Sequence, residues 1–444
     1  MSVALSATGT RHLVRRNDMS RGGADAVTVL SVYLVLLVGV PSNLTIAALG
    51  AVGKPALLWG LGCALWWLWT RISRLVAVAG RRQPVRIALA AFAAASLVAY
   101  IAAHVHGLPA GEASPSDTAL LRLVSWAGVV LVANDGITER NRFTTLLRRI
   151  AFAGGFIATL GLLQFVTGHP LIVDVGLPGF TVDPIMGGIQ ERSGFTRASG
   201  TASHPLEYAV MLAVALPIAI TLALETREHG VIRRWFSTAV MAVTSVVSIS
   251  RSAVLGVLVS LAVLAPTWPR AVRRGAVAAG VILLGAIYTL VPGMIGTIRA
   301  LFLGLSDDPS TVSRTSSYEI ALDIADRYAP IGRGLGTFLP AYRILDNQYL
   351  QLLIETGIIG LASLLVLFVS AAACVRIARR HAVTTVDRQL CQSLLAAVIA
   401  AALLFAFFDA FAFPIASGVT FLIIGLCGAA RNVFAPDDDG QPRN

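Results

Sequence analysis

Ser248-Ile249-Ser250-Arg251-Ser252 puts one guanidinium and three hydroxyls at the junction of two apolar runs with almost no loop between them. An arginine held that close to hydrocarbon is costly and marks a candidate site. The planar guanidinium fork suits bidentate binding of phosphate oxygens, and Ser250 and its neighbours can add hydroxyl donors. The other reading makes Arg251 the cap of a helical hairpin, or the partner of an acid. His204, just before Pro205 at the start of another apolar run, reads either as a helix-opening histidine or as a proton acceptor. Asp307-Asp308, beside Pro309, reads as solvated charge or a helix cap and not as a metal pair. No two histidines share a His-x-x-x-His helical face, so neither a metal nor a cofactor is expected. Gly332, Gly334 and Gly336 lack the strand before and helix after that a dinucleotide loop requires. They read as a tight turn that allows close backbone approach.

The elements that must position these residues are apolar. Of the 444 residues 56% are hydrophobic and 13% charged, against roughly a quarter charged in a soluble domain. Runs near the ~20 residues needed to cross a bilayer are placed at 27–47, 52–70, 86–104, 118–134, 149–167, 206–224, 234–249, 252–266, 274–292, 357–375, 390–408 and 412–428. The expected fold is an all-α polytopic membrane protein with about twelve transmembrane helices. It comprises a basic cytoplasmic tail over 1–25, a transmembrane domain over 26–430 and a disordered cytoplasmic tail over 431–444.

The net charge of +11 is spread in short arginine clusters between apolar runs, so it reads as an orientation signal and not as a nucleic-acid footprint. These clusters put both termini inside the cell and two long segments, 168–206 and 293–356, outside. Lys54 and Arg122, at helix ends, are expected to snorkel to the interface. Arg192, Arg197, Arg251, Arg299, Arg314, Arg327, Arg333 and Arg343 lie on the side the insertion rule disfavours, which suggests that something there needs positive charge. Cys63, Cys374, Cys391 and Cys427 fall inside apolar runs and read as packing thiols.

In order and spacing, several segments resemble the O-antigen ligase and polymerase superfamily of bacterial membrane glycosyltransferases. They are Arg197 through Pro205 before a span, Ser250-Arg251 at a hairpin, and Arg314 before an amphipathic helix with Tyr318, Ala321, Leu322, Ala325 and Tyr328 at helical spacing. Then come Pro330-x-Gly332-x-Gly334 and Asn347-x-Tyr349-Leu350-x-x-Leu353-x-Glu355-x-Gly357-x-x-Gly360. The resemblance in topology covers nearly the whole chain, and the motifs concentrate in residues 190–360.

The resemblance implies transfer of a glycan from an undecaprenyl-pyrophosphate carrier to an acceptor hydroxyl, outside the cytoplasmic membrane and without metal. Arg251, Arg197, Arg314 and Ser250 would hold the diphosphate, and Gly332, Gly334, Asn347 and Tyr349 would shape the surrounding loop. Where the family usually has His-Asn, with the histidine as general base, this chain has Asp346-Asn347. Asp346 is therefore the candidate base, with His204 as its competitor. A multi-pass solute transporter is the alternative. Transporters place ionisable residues at mid-membrane, whereas the spans here read as nearly free of acids apart from Asp409.

Overall fold

The computed structural model describes residues 25–73, 83–169, 177–182, 191–192, 195–225, 230–248, 250–291 and 309–435, with residues 171, 293 and 296. The terminal tails up to 24 and from 436, Arg299, Asp307-Asp308, and the side chains of Arg192 and Arg314 lie outside the described residues.

Prolines open many of the helices and glycine closes two, as expected of residues that cannot donate to a preceding turn or that tolerate positive φ. α1 (Ala26–Gly39) is capped by the Asp25 carboxylate, which accepts from the Thr28 amide at 3.1 Å. α2 (Pro55–Ile72) and α3 (Pro84–His106) each begin on proline. α4 (Ala113–Gly136) and α5 (Arg140–Thr167) follow, and α5 stops at Gly168 in the left-handed region. α6 (Pro205–Glu225), α7 (Val231–Val247), α8 (Arg251–Leu264) and α9 (Arg270–Leu290) come next. α10 (Pro309–Arg327), α11 (Gln348–His381), α12 (Thr385–Leu404) and α13 (Pro414–Phe434) complete the described set. Short antiparallel ribbons add Leu44–Ile46 with Phe180–Val182, and Glu191–Arg192 with Phe195–Thr196.

Each of the twelve expected spans falls on a helix, and eight of the described helices are long and apolar enough to cross a membrane. The boundaries shift where local chemistry overrides apolarity. α1 ends at Gly39 and not near 47, because Pro41 diverts the chain into the first ribbon. α12 ends at Leu404, leaving 405–408 in a loop, and α11 begins at Gln348, ahead of the expected 357.

α13 is the axis of the bundle, buried on nearly every side, and α6 is buried almost as completely. Small residues let the backbones approach, as in membrane interfaces generally. A Cβ at Gly128 would lie 2.4 Å from the Ala64 amide, and one at Gly425 2.7 Å from Ala133. α9 lies at the periphery, with Ile287 its one buried residue.

The two ends of the bundle differ. One carries Arg71 and Arg86 on Asp135, Arg140 on Asp387 at 2.6 Å, and Arg142 on Asp25. The described parts of both long segments gather at the other end.

There the glycine motifs prove to be one packing joint. α11 is broken at Gly357 (φ 64), and the Pro330–Gly336 turn docks into the break. The Arg333 amide donates to the Ile354 carbonyl at 2.8 Å and the Gly334 amide to the Glu355 carbonyl at 2.9 Å. A Cβ at Gly332 would meet Glu355 backbone at 2.5 Å, and one at Gly357 would meet the Pro330 carbonyl oxygen at 1.9 Å. Gly332 and Gly334 thus act through close backbone approach. Gly357→Ala should lower stability by roughly 2–3 kcal/mol, from strain and overpacking combined. Gly280→Ala, whose Cβ meets nothing within 4 Å, should leave it unchanged. Thermal unfolding of the purified protein in nanodiscs checks both.

Candidate functional site

The loop before α6 is held from three sides. Gln164 of α5 donates to the Gly200 carbonyl at 2.9 Å and accepts from the Gly200 amide at 2.7 Å. The Thr201 hydroxyl donates to the Val38 carbonyl at 2.6 Å. The deepest tie is Glu207, fully buried in the first turn of α6. Its carboxylate accepts from the Ser42 hydroxyl at 2.8 Å, the Ser203 amide at 2.9 Å and hydroxyl at 3.0 Å, and the Ile415 amide at 2.6 Å. Lys54 donates to the Ser42 carbonyl at 2.9 Å and is only 6% exposed.

Two expectations change here. Lys54 does not snorkel but turns inward, because Ser42 and the Glu207 charge offer it buried partners. Arg122 lies within α4, partly buried, and donates to the Phe411 carbonyl at 3.4 Å. The spans are also less free of acids than they read, since Glu207 and Glu355 are both buried. Both sit where helices begin or break and accept backbone hydrogen bonds, so they hold structure together.

Asp346 is the one non-glycine residue with positive φ among the described residues (φ 48). Asp, Asn and His tolerate that left-handed conformation better than other side chains, so a residue here that can also take a proton comes from a short list. The next residue, Asn347, caps α11 by accepting from the Tyr349 and Leu350 amides at 2.9 and 3.3 Å. The partly buried Asp346 therefore stands at the positive end of α11. Asn347 also donates to the Tyr318 hydroxyl at 3.2 Å, and the Tyr349 hydroxyl donates to the Ala402 carbonyl. Gln348 ties the segment to the loop between α12 and α13 through Phe405 and Phe411.

That loop carries Asp409, within electrostatic reach of both Asp346 and Arg122. Burial pushes its proton affinity up to about 6, the Asp346 charge adds to the rise, and Arg122 opposes it. Beside it, a small cleft of about 30 Å³ is lined by Lys54 and Arg122 with the apolar side chains of Leu37, Leu57, Trp126 and Phe411.

His204 opens α6 as a partly buried, neutral ring. Burial first, and the nearby Arg197 charge second, lower its proton affinity to about 4. Its Nδ1 accepts from the Leu206 amide at 3.1 Å, so the neutral ring carries its proton on Nε2 and presents a donor there.

Ser250 is the N-cap of α8, accepting from the Ala253 amide at 3.4 Å and lying 3.0 Å from the Ser252 hydroxyl. Arg251 is the first residue of that helix. Five residues on, a Cβ at Gly256 would touch Leu404 and Ala213. At ~1.5 Å rise per residue, Arg251 lies toward the same end as the loop after Leu404. Arg333, grouped above with the outward arginines, is a clamp: it donates to buried Glu112 at 2.6 Å and to the Thr337 carbonyl at 3.0 Å. The structure thus brings Asp346, Asn347 and Tyr349 together with Asp409, and His204 together with Arg197. Sequence reading passed over Glu207, Glu112 and the inward turn of Lys54; the available signal was an acid just after the proline that opens α6.

Residues 236–365 match the family model described as O-antigen ligase. No curated protein matches the chain. The matched segment holds Ser250, Arg251, Arg314, Gly332, Gly334, Asp346, Asn347 and Tyr349, while Arg197 and His204 precede it. The protein is a multi-pass, all-α membrane protein whose residues 236–365 are similar to the O-antigen ligase family.

A carboxyl whose proton affinity rises on folding stabilises the fold at low pH and loses that contribution as pH climbs through its folded value. For Asp409 the window runs from its ordinary 3.8 to about 6. Asp409→Asn lacks this dependence, so the melting temperature of the variant minus that of wild type should grow from about pH 4 to about pH 6 and level off above about pH 7. A difference that stays flat across that range would show Asp409 to be unshifted.

Proposed function

We propose that this protein transfers a glycan from an undecaprenyl-diphosphate carrier to an acceptor hydroxyl at the outer face of the cytoplasmic membrane, with Asp346 as general base. The observation that carries this reading is the setting of Asp346: a proton-accepting side chain in a left-handed position, beside the cap of α11 and next to the loop that borders a cationic cleft.

In the proposed step, the acceptor oxygen attacks the anomeric carbon as Asp346 takes its proton. The bond from that carbon to the diphosphate oxygen breaks, and the electron pair leaves with undecaprenyl diphosphate. A single displacement of this kind inverts the anomeric centre. Arg251, Arg197 and Arg314 hold the negative charge that develops on the leaving group. Lys54 and Arg122 add two cations beside apolar side chains, a combination that suits a lipid carrying an anionic head. Ser250 orders the start of α8, and so the base of Arg251. His204 offers Nε2–H as a donor to the diphosphate or to the sugar. No metal enters the proposed step. Both termini lie in the cytoplasm in this reading, with segments 168–206 and 293–356 outside.

Substitution at position 346 tests the assignment. Asp346→Asn keeps the left-handed backbone but cannot take a proton, and should cost roughly a hundredfold or more in turnover. Asp346→His, which restores the residue usual in the family, should recover part of it. Turnover is followed as consumption of lipid-linked donor by protein in nanodiscs. Wild-type turnover in the asparagine variant, with loss in His204→Ala, would move the base to His204.

A further inference from the structure

Next to Asp346 lies a surface that the transfer step does not use. Asn347, 6% exposed, is fixed by its cap of α11, and its amide holds the Tyr318 hydroxyl at 3.2 Å. The Tyr318 ring is thereby anchored by its polar tip while 45% of the residue remains exposed. α10 itself is seated on α11 through Ala321 and Ala325, which pack with Leu350 and Ile354. The Ser317 hydroxyl accepts from Arg343 at 3.0 Å, tying the same turn to the strand of chain that leads into Asp346.

Leu322, one helical turn beyond Tyr318, and Ile344, two residues before Asp346, are both more than half exposed. The same helix exposes Glu319, Asp323 and Asp326, and Arg327 at its end pairs with Asp323. The surface is therefore a fixed aromatic face with an apolar border and an acidic rim.

That chemistry selects among occupants. A bilayer surface bearing anionic lipids would be repelled by the acids. A sugar ring offers apolar C–H edges to an aromatic face and hydroxyl donors to carboxylates, which accept only. We propose that Tyr318 is the platform of the acceptor subsite, on which a neutral sugar stacks with its reacting hydroxyl directed at Asp346. This rests on the glycosyl-transfer reading above and adds the class of acceptor. The acidic rim favours neutral sugars over phosphorylated or uronic ones.

The test separates binding from turnover. Full-length protein in nanodiscs, without donor, is titrated with an array of neutral hexose and N-acetylhexosamine oligosaccharides, and transfer from an undecaprenyl-diphosphate-linked glycan is assayed separately. Tyr318→Ala should weaken binding of the best oligosaccharide, and raise its KM, by about tenfold, with the KM for donor unchanged. Tyr318→Phe keeps the ring and should fall between Tyr318→Ala and wild type. Tyr328→Ala, an equally exposed tyrosine past the end of α10, should match wild type and so control for loss of exposed surface. Melting temperatures confirm that each variant is folded. Wild-type acceptor binding and KM in Tyr318→Ala would overturn the proposal while leaving the transfer reading intact. Tyr318-dependent binding without any transfer by wild type would uphold the subsite and overturn the transfer reading, and absence of both binding and transfer overturns both.

Discussion

The carboxylate of Glu207 joins three pieces of chain that are far apart in sequence: the turn after α1, the loop before α6 and the start of α13. Each has backbone amides or hydroxyls that the helices cannot satisfy, because helix starts leave their first donors open. A single buried acid satisfies four of them, and Lys54 balances it through the Ser42 carbonyl. An unmet buried donor costs about 1–3 kcal/mol, so the acid is needed for these pieces to stay together. Arg197 and His204 lie in one of the three pieces, and Asp409 lies in the loop that ends at another.

The second joint is built without charge. The Pro330 turn enters the break in α11 because Gly332 and Gly357 carry no Cβ, and Arg333 then locks the turn to Glu112. This joint fixes where α11 begins, and with it the cap at Asn347 and the left-handed residue before it. Position 346 asks for a side chain that tolerates positive φ, and in the proposed step it must also accept a proton. Aspartate and histidine meet both conditions, which gives a physical account of how one can stand where the family usually has the other.

The helices were legible in the sequence because apolar length and proline position are local properties, and the glycine turn was legible because its residues have few other uses. What escaped reading depends on contacts between distant segments. Lys54 looked like an interfacial lysine because nothing nearby in sequence shows that Ser42 and Glu207 will face it. Arg333 looked like one outward arginine among eight, and only the fold supplies Glu112. His204 read either as a helix-opening histidine or as a base, and only the fold shows that its Nδ1 accepts from the Leu206 amide. Tyr318, Ala321, Leu322, Ala325 and Tyr328 share helical spacing, but only the two alanines of that set face inward, and Tyr318, Leu322 and Tyr328 are exposed. Ser317, Ala321 and Ala325 are buried because the close approach of α10 to α11 favours small residues.

Release of the lipid diphosphate is the event that defines the proposed transfer. Purified protein in nanodiscs, given a glycan on undecaprenyl diphosphate and an acceptor sugar, should release one undecaprenyl diphosphate for each glycan transferred, read by mass spectrometry of the lipid fraction, and release should require the acceptor. Disappearance of donor with the glycan still attached to its lipid on the opposite face of the membrane, and no free undecaprenyl diphosphate, would contradict it.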